Sequence, residues 1–407
     1  MSQERLASLV AVLNAIRHSD GVTQPELVNE VRLGRSVVAQ RVSELEELGL
    51  VSTGGLAPST GGRAPRRLQL RADAGIVVSV DIAARELLVA TADLSGAIID
   101  VSGEPIDVVD APETVLAAAE RHIDKLLDGN DSPLLGIGVA IPGPVEFKTG
   151  LPVMPPIMPA WNRWPLRDQL SQRYGVPTWV DNDVNVLTLG ELRANPDAKS
   201  AGNVVFMFVD VGIGAGIAVA GQIYRGANGS AGDIGHVAIP EGGNAICRCG
   251  NIGCLEAVAG AAALEREGQV LAQTRQSAAL AKILDETGAV RALDITIAAE
   301  AGDPTARAML QRSATLVGGT LATLVSFFNP NLVIIGGGIA RARDFVVNGI
   351  REGVFRRSLP LSTQDLRIEM SALGERGGII GAAHLVLDEI FTVDHVERLV
   401  EAAGGRQ

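Results

Sequence analysis

Residues 229–256 read GSAGDIGHVAIPEGGNAICRCGNIGCLE, and all three cysteines of the 407-residue chain fall inside them, at Cys247, Cys249 and Cys254, with His236 just upstream. Three thiolates and one imidazole are the number and kind of ligand that a closed tetrahedral zinc site needs. Gly250 and Gly253 let the short backbone between Cys249 and Cys254 fold tightly enough for both sulfurs to face one ion. The alternative is three inert, buried thiols, the usual state of a free cysteine. It gives no reason why none of the three lies elsewhere. Four protein ligands leave no open position for a reacting water, so the sequence predicts one structural ion per chain on His236, Cys247, Cys249 and Cys254. Cysteine used this way also points to a reducing compartment rather than to disulfides.

The charge of the chain is unevenly divided. The first 71 residues carry nine arginines against seven acidic residues, a net +2, which leaves −14 of the total −12 on the remainder. An acidic body does not seek nucleic acid, whereas a small basic head can. Leu6, Leu9, Val10, Leu13 and Ile16 follow helical spacing. Thr23 and Glu26 form a capping box with Pro25 in the permitted first turn, which opens a short second helix running to about Val31. Arg32-Leu33-Gly34 is a turn, and Val38, Val42 and Leu45 face inward on a third helix. This is the helix-turn-helix layout, whose last helix enters the major groove. Its leading end presents Arg35, Ser36 and Gln40, with Arg41 on the flank, while Glu44, Glu46 and Glu47 point away from phosphates. From Ser52 to Arg71 the chain holds Arg63, Arg66, Arg67 and Arg71 and no acidic residue, on what reads as two strands around a tip. Such a wing lays guanidinium groups on phosphates or in the minor groove. A trihelical protein-interaction module with a solvated charge run is the competing reading.

After a boundary at residues 68–73, strand and helix patterns alternate as in a layered α/β body. Ile76–Asp81 is a strand with a hairpin return at Leu87–Thr91, Thr114–Leu127 a helix and Leu134–Ile141 a strand. The most apolar run, Val204–Gly221, is interrupted by Asp210 and several glycines and reads as buried strands, not as a membrane span. The N-terminus has no secretory pattern, so a cytoplasmic protein is expected. The tail at 391–407 is expected to be amphipathic or frayed.

The pattern GxxGH followed by CxCGxxGCxE resembles the signature of the ROK family, which contains repressors and sugar kinases. The resemblance extends to Pro142-Gly143-Pro144-Val145, to Asn182-Asp183-Val184-Asn185 with Leu189-Gly190-Glu191, and to an arginine-bearing wing. It implies a two-lobed, actin-like ATPase body over 72–390, carrying a zinc knot at 236–254, behind a winged helix-turn-helix at 1–71. It also implies that Asn182, Asp183, Asp233, His236 and Glu256 contact a sugar, and that in kinases the aspartate equivalent to Asp183 takes the proton from the attacking hydroxyl. Asp233 stands where the family usually has Glu, and Ile157 where sugar-phosphorylating members often have Asn. Read without the resemblance, Asn182 and Asp183 would be an Asx-rich helix cap.

The phosphate loops separate an ATP-dependent sugar kinase from a sugar-responsive regulator. Where the family has DxGGT, this chain has Asp81-Ile82-Ala83-Ala84-Arg85, losing the glycines that admit phosphate and the threonine hydroxyl. Where it has GTGxGxG, the chain has Asp210-Val211-Gly212-Ile213-Gly214-Ala215-Gly216. A carboxylate about 4 Å from a phosphate charge costs on the order of 4 kcal/mol at an effective dielectric near 20. The sequence therefore predicts a regulator of carbohydrate metabolism, most simply a repressor, that binds duplex DNA and a sugar or sugar phosphate and acts as a homodimer or homotetramer. A kinase with an attached head is the alternative, and a scaffold without a small ligand is a third.

Overall fold

The computed structural model describes residues 2–19, 21–56, 66–338 and 343–404. The first elements are α1 (Gln3–Arg17), β1 (Val22–Thr23), α2 (Gln24–Val31), α3 (Arg35–Glu47), β2 (Val51–Leu56) and β3 (Arg66–Leu70). The strands form a sheet in the order β1-β3-β2, so three helices are followed by a wing. The Thr23 N–H donates to the Glu26 carboxylate at 2.8 Å, which fixes the start of α2. Arg32 takes a left-handed conformation (φ 54°) and turns the chain from α2 into α3. The tip of the wing, with Arg63, lies outside the described residues.

The body opens with β4 (Ile76–Ile82), β5 (Glu86–Asp93), β6 (Ile98–Pro105), α4 (Pro112–Leu127) and β7 (Leu134–Ile141). The minor pair β8 (Val145–Glu146) and β9 (Leu151–Pro152) follows, then α5 (Leu166–Tyr174), β10 (Thr178–Asn182) and α6 (Asp183–Ala194). The first sheet has the order β10-β7-β4-β5-β6, with β4, β7 and β10 parallel and the β4–β5–β6 meander antiparallel. After α7 (Pro196–Ala201) the chain builds β11 (Val204–Val209), β12 (Ile213–Val219) and β13 (Gln222–Ile223). The helices α8 (Leu255–Ala259), α9 (Ala261–Gln273), α10 (Ala278–Thr287), α11 (Ala292–Glu300) and α12 (Pro304–Phe328) come next. The chain then continues through β14 (Leu332–Gly336), α13 (Arg343–Arg357), α14 (Pro360–Thr363), β15 (Arg367–Met370), α15 (Gly377–Ile390) and α16 (Val393–Gly404). The second sheet, β13-β12-β11-β14-β15, repeats the plan of the first: three parallel strands joined to an antiparallel meander. No short sequence repeat announces this duplication.

Helix α6 lies between the sheets. Val184 and Leu192 pack with Phe206, Ala218 and Ile334 of the second sheet, whereas Val186 and Leu189 join the cluster containing Ala382 and Val386 of α15. Gly190 and Gly381 permit the close approach of α6 and α15, because a methyl at either would run into the backbone of the other helix.

Of the two outcomes expected for the tail, amphipathic or frayed, α16 takes the first. Val396 of α16 is fully buried, and the apolar cluster around it unites Leu9, Leu13 and Ile16 of α1 with Ile390 and Phe391. Polar bonds fasten the same joint. Asn14 donates to the Phe391 carbonyl at 3.0 Å, Arg17 reaches Asp388 at 2.8 Å, and Arg193 of α6 reaches the other oxygen of Asp388 at 2.6 Å.

Candidate functional site: a metal cluster beside an interlobe cleft

His236 and the three cysteines come together as the spacing predicts. One donor atom from each residue lies within 4.8 Å of all the others. Cys247 Sγ is 3.5 Å from His236 Nδ1, and Cys249 Sγ is 3.8 Å from Cys254 Sγ. A tetrahedron with metal–sulfur arms of about 2.3 Å has edges of about 3.8 Å, so these separations suit one ion without rearrangement. Gly250 and Gly253 both adopt positive φ, 90° and 80°, as the tight turn between Cys249 and Cys254 requires. Nδ1 is the ring nitrogen turned toward Cys247; Nε2 faces Asp233 at 3.9 Å. A carboxylate on the second ring nitrogen is the usual way to fix the orientation of a metal-bound imidazole.

Of the cluster, His236 reaches the wall of a cleft of about 480 Å³ between the lobes. Asn182, Asp183, Asp233, His236 and Glu256, the five residues assigned to sugar contact, all line it. Strand β10 delivers Asn182 and Asp183 to the N-terminus of α6, Asp233 and His236 stand on the segment before the cysteines, and Glu256 lies in the first turn of α8. The five are not equally free. Asn182 accepts from the N–H groups of Val184 and Asn185 at 3.0 and 3.2 Å, and donates to Gly143 O and to Asp183 Oδ1, both at 2.9 Å. Its amide is spent at both ends. Asn182 is thus the cap of α6 and holds Asp183 in place, and a ligand would have to break those bonds to use it. Burial first, and then the charge of Asp81, push the Asp183 carboxyl up to about 7. Asp81 itself is raised to about 7 by burial and by Glu86. Glu256 gives one oxygen to the Ile213 N–H at 3.0 Å.

At the anion-binding turns the side chains have taken over the backbone donors. The Asp210 carboxylate accepts from the Val211 N–H at 2.8 Å and from the Gly338 N–H at 2.9 Å, and the Asp210 carbonyl accepts from the Ala261 N–H at 2.8 Å. Arg85, at the tip of the β4–β5 hairpin, reaches across the cleft to Glu265 of α9 at 3.7 Å. Neither partnership has a signal in the local sequence.

On the head, Arg35, Ser36 and Gln40 are exposed along one side of α3, and Arg66 is exposed on β3. Arg67 is partly buried and donates to the Gly21 carbonyl at 2.8 Å. Arg41 departs from expectation: it is 6 % exposed and pairs with Glu44, which also pairs with Arg5 at 2.9 Å. The Arg41 guanidinium is turned into the head, not toward solvent.

The family profile described as "ROK family" matches residues 77–389. Among individual proteins, the glucokinase of Halalkalibacterium halodurans is 34% identical over 268 residues, covering 65% of this chain and 80% of that protein. The xylose repressor of Caldicellulosiruptor bescii is 28% identical over 386 residues, covering 94% and 95%. Among solved structures, a ROK family transcriptional regulator, described as a homologue of the Escherichia coli MLC protein, superposes with a TM-score of 0.84 over 98% of this chain and 100% of that one, at 24% identity.

Proposed function

The chain belongs to the ROK family, and from that premise we propose that it is a sugar-responsive, DNA-binding transcriptional repressor of carbohydrate metabolism without kinase activity. In this reading residues 1–71 bind the operator, 72–390 hold the effector, and α16 helps to tie the two together. The observation that carries the proposal is one cleft with two unlike halves: a polar wall suited to hydroxyls, and anion turns already occupied by Asp210. The match to a xylose repressor over nearly the full length of both chains, head included, supports the regulatory branch, whereas the glucokinase match covers only about two thirds of this chain.

Asp183, Asp233, His236 Nε2 and Glu256 Oε1, which lies 3.9 Å from Cys247 Sγ, present acceptors and donors to a sugar. Hydroxyls matched to such groups give strong discrimination, because the wrong epimer leaves a buried partner unpaired. His236, Cys247, Cys249 and Cys254 would hold zinc. Bound there, the ion crosslinks the loop that bears Asp233 and Glu256; with four protein ligands it offers no site for chemistry. Ala83, Ala84 and Arg85 replace the phosphate hairpin, and Asp210 with Val211 replaces the second turn, so Asp183 orients a hydroxyl with no phosphoryl group to complete a reaction. Arg35, Ser36 and Gln40 read bases while Arg63, Arg66 and Arg67 of the wing serve phosphates; paired heads of a homodimer or homotetramer span the operator. No helix among the described residues is long and apolar enough to cross a membrane.

Two measurements test the reading together: selection of duplexes from a genomic pool with and without candidate sugars, and phosphate transfer from ATP to any sugar that binds. We expect a selected operator whose affinity changes with sugar, and no turnover. Robust turnover that vanishes in Asp183→Asn would identify a kinase with an attached head instead.

A further inference from the structure

The cleft is larger than its sugar wall needs. A free hexose has about a dozen heavy atoms, whereas pockets of roughly 300–1,000 Å³ hold drug-sized molecules; this one has about 480 Å³. The surplus lies beyond Gly212 and Ile213, at the end where Ala83, Ala84, Leu264, Ala292, Leu293 and Thr296 line the wall. That end is held together by Glu265, which accepts from the Ala292 N–H at 3.2 Å and faces Arg85 at 3.7 Å. Arg85 and Glu265 face each other there, and among the described residues Glu86 and Arg291 also border the cleft. The two backbone donors an anion would use, Val211 N–H and Gly338 N–H, are bonded to the Asp210 carboxylate, which also repels negative charge. What remains between these charges is a largely apolar recess continuous with a polar sugar wall.

We propose that the ligand of this cleft is a sugar carrying a second, uncharged group, that is, a glycoside or an oligosaccharide, with the sugar ring on the polar wall and the attached group in the recess. The inference rests on the sugar-binding reading above and narrows its ligand class. A single linked molecule gains over two separate occupants because its second contact is intramolecular, and burying the attached group against Leu264 and Leu293 adds apolar contact that a free monosaccharide lacks. Asp210 acts here as a specificity-determining residue: it closes the anion cradle and leaves the neighbouring recess to neutral groups.

Isothermal titration of the full-length, zinc-loaded protein tests this with matched probes. These are methyl and phenyl glycosides of D-glucose and D-xylose in both anomers, methyl and benzyl ethers at O6 of glucose, glucose 6-phosphate and ADP. The expected result is that at least one aryl derivative binds tenfold or more tightly than its methyl counterpart. Leu293→Asp should then bring that ratio toward one; Leu293 is 46 % exposed, so the substitution does not threaten the fold. Methyl and aryl derivatives of equal affinity throughout overturn the inference and leave the sugar pocket standing. Tighter binding of glucose 6-phosphate or ADP also overturns it, and would assign the recess to an anion held by Arg248 and Arg291 at the rim. Failure of every probe to bind removes the sugar-binding reading itself, and this inference with it.

Discussion

Replacing Asp388 with alanine should loosen the joint between head and body more than any other single change. Its carboxylate bridges Arg17 of α1, at 2.8 Å, and Arg193 of α6, at 2.6 Å. The Arg17 side chain is 7 % exposed and also lies over the Phe391 ring at 5.0 Å. Hydrogen bonds between charged groups contribute about 1.5–3 kcal/mol each, and breaking a buried pair by removing one partner costs about 3–5 kcal/mol. Asp388 is 27 % and Arg193 20 % exposed, so solvent relieves part of the cost. A loss of about 3 kcal/mol follows, or a fall of about 3–4 °C in the midpoint of thermal unfolding for a chain of this size. Arg17→Met and the double variant complete a cycle in which the pair should couple by more than about 0.5 kcal/mol. Burial pushes the Asp388 carboxyl up, but Arg193 and Arg17 outweigh it and hold it below its ordinary value. Its stabilisation is therefore lost only as pH falls through that lowered value, and the Asp388→Ala deficit should be constant between about pH 5 and 8. The functional corollary is a smaller effect of sugar on operator affinity, because α6 begins at Asp183 in the cleft and ends at Arg193 in the joint. An unchanged midpoint with additive single variants would refute the reasoning.

Elemental analysis of protein purified under reducing conditions should find one zinc per chain and none in Cys249→Ser, which should lose sugar response at the same time. Asp183 is raised to about 7, so the native state holds a proton that the unfolded state has released between about pH 4 and 7, and stability falls as pH rises through that window. Asp183→Asn should accordingly flatten the dependence of the unfolding midpoint between about pH 5.5 and 7.5, as scanning calorimetry at several pH values will show. Arg35→Ala should relax operator specificity, and Arg66→Ala should weaken binding to all duplexes and reduce the salt slope by about 1, both read by fluorescence anisotropy across a salt series. Arg41→Met should lower stability while leaving the salt slope unchanged, in keeping with a guanidinium spent on Glu44.

What was legible in the sequence was local. The cysteine spacing, the capping box at Thr23, the turn at Arg32 and the alternation of strands and helices each depend on a few neighbouring residues, and each is present where expected. What was missed depends on partners far along the chain: Asp388 with Arg17 and Arg193, Arg85 with Glu265, and Asp210 with Gly338. Two further features had a local signal. Arg41 falls three residues after Val38 and four before Leu45, on the inward stripe of its own helix, and Glu44 sits at the (i, i+3) position that can pair with it. In the tail, Val393, Val396 and Val400 repeat at helical spacing, which marks a docked helix rather than a frayed end.

The glycines of Gly212-Ile213-Gly214-Ala215-Gly216 show how a motif can outlast the function it suggests. Taken as sequence, they invite a nucleotide. In the fold each is close to another part of the protein. A methyl at Gly216 would collide with the Thr188 hydroxyl, one at Gly214 would press on Val184 at 3.1 Å, and one at Gly212 would meet Glu256 at 3.3 Å. Thr188 and Val184 belong to α6, which lies against β12 because both help to bury the core of the second sheet. The same holds at Gly338, where a methyl would fall 2.9 Å from the Asp210 carboxylate. These glycines are therefore required by helix–sheet packing and by the Asp210 contact, whether or not a phosphate ever approaches. The decision between kinase and regulator falls to the residues between them, which packing does not force: Asp210 and Val211 here, with Ala83, Ala84 and Arg85 on the opposite lobe. Exchanging those five for glycine, threonine, glycine, glycine and threonine respectively is the minimal change that would reopen the cradle, and ADP binding by that variant alone would show that the scaffold had lost only its donors and not its shape.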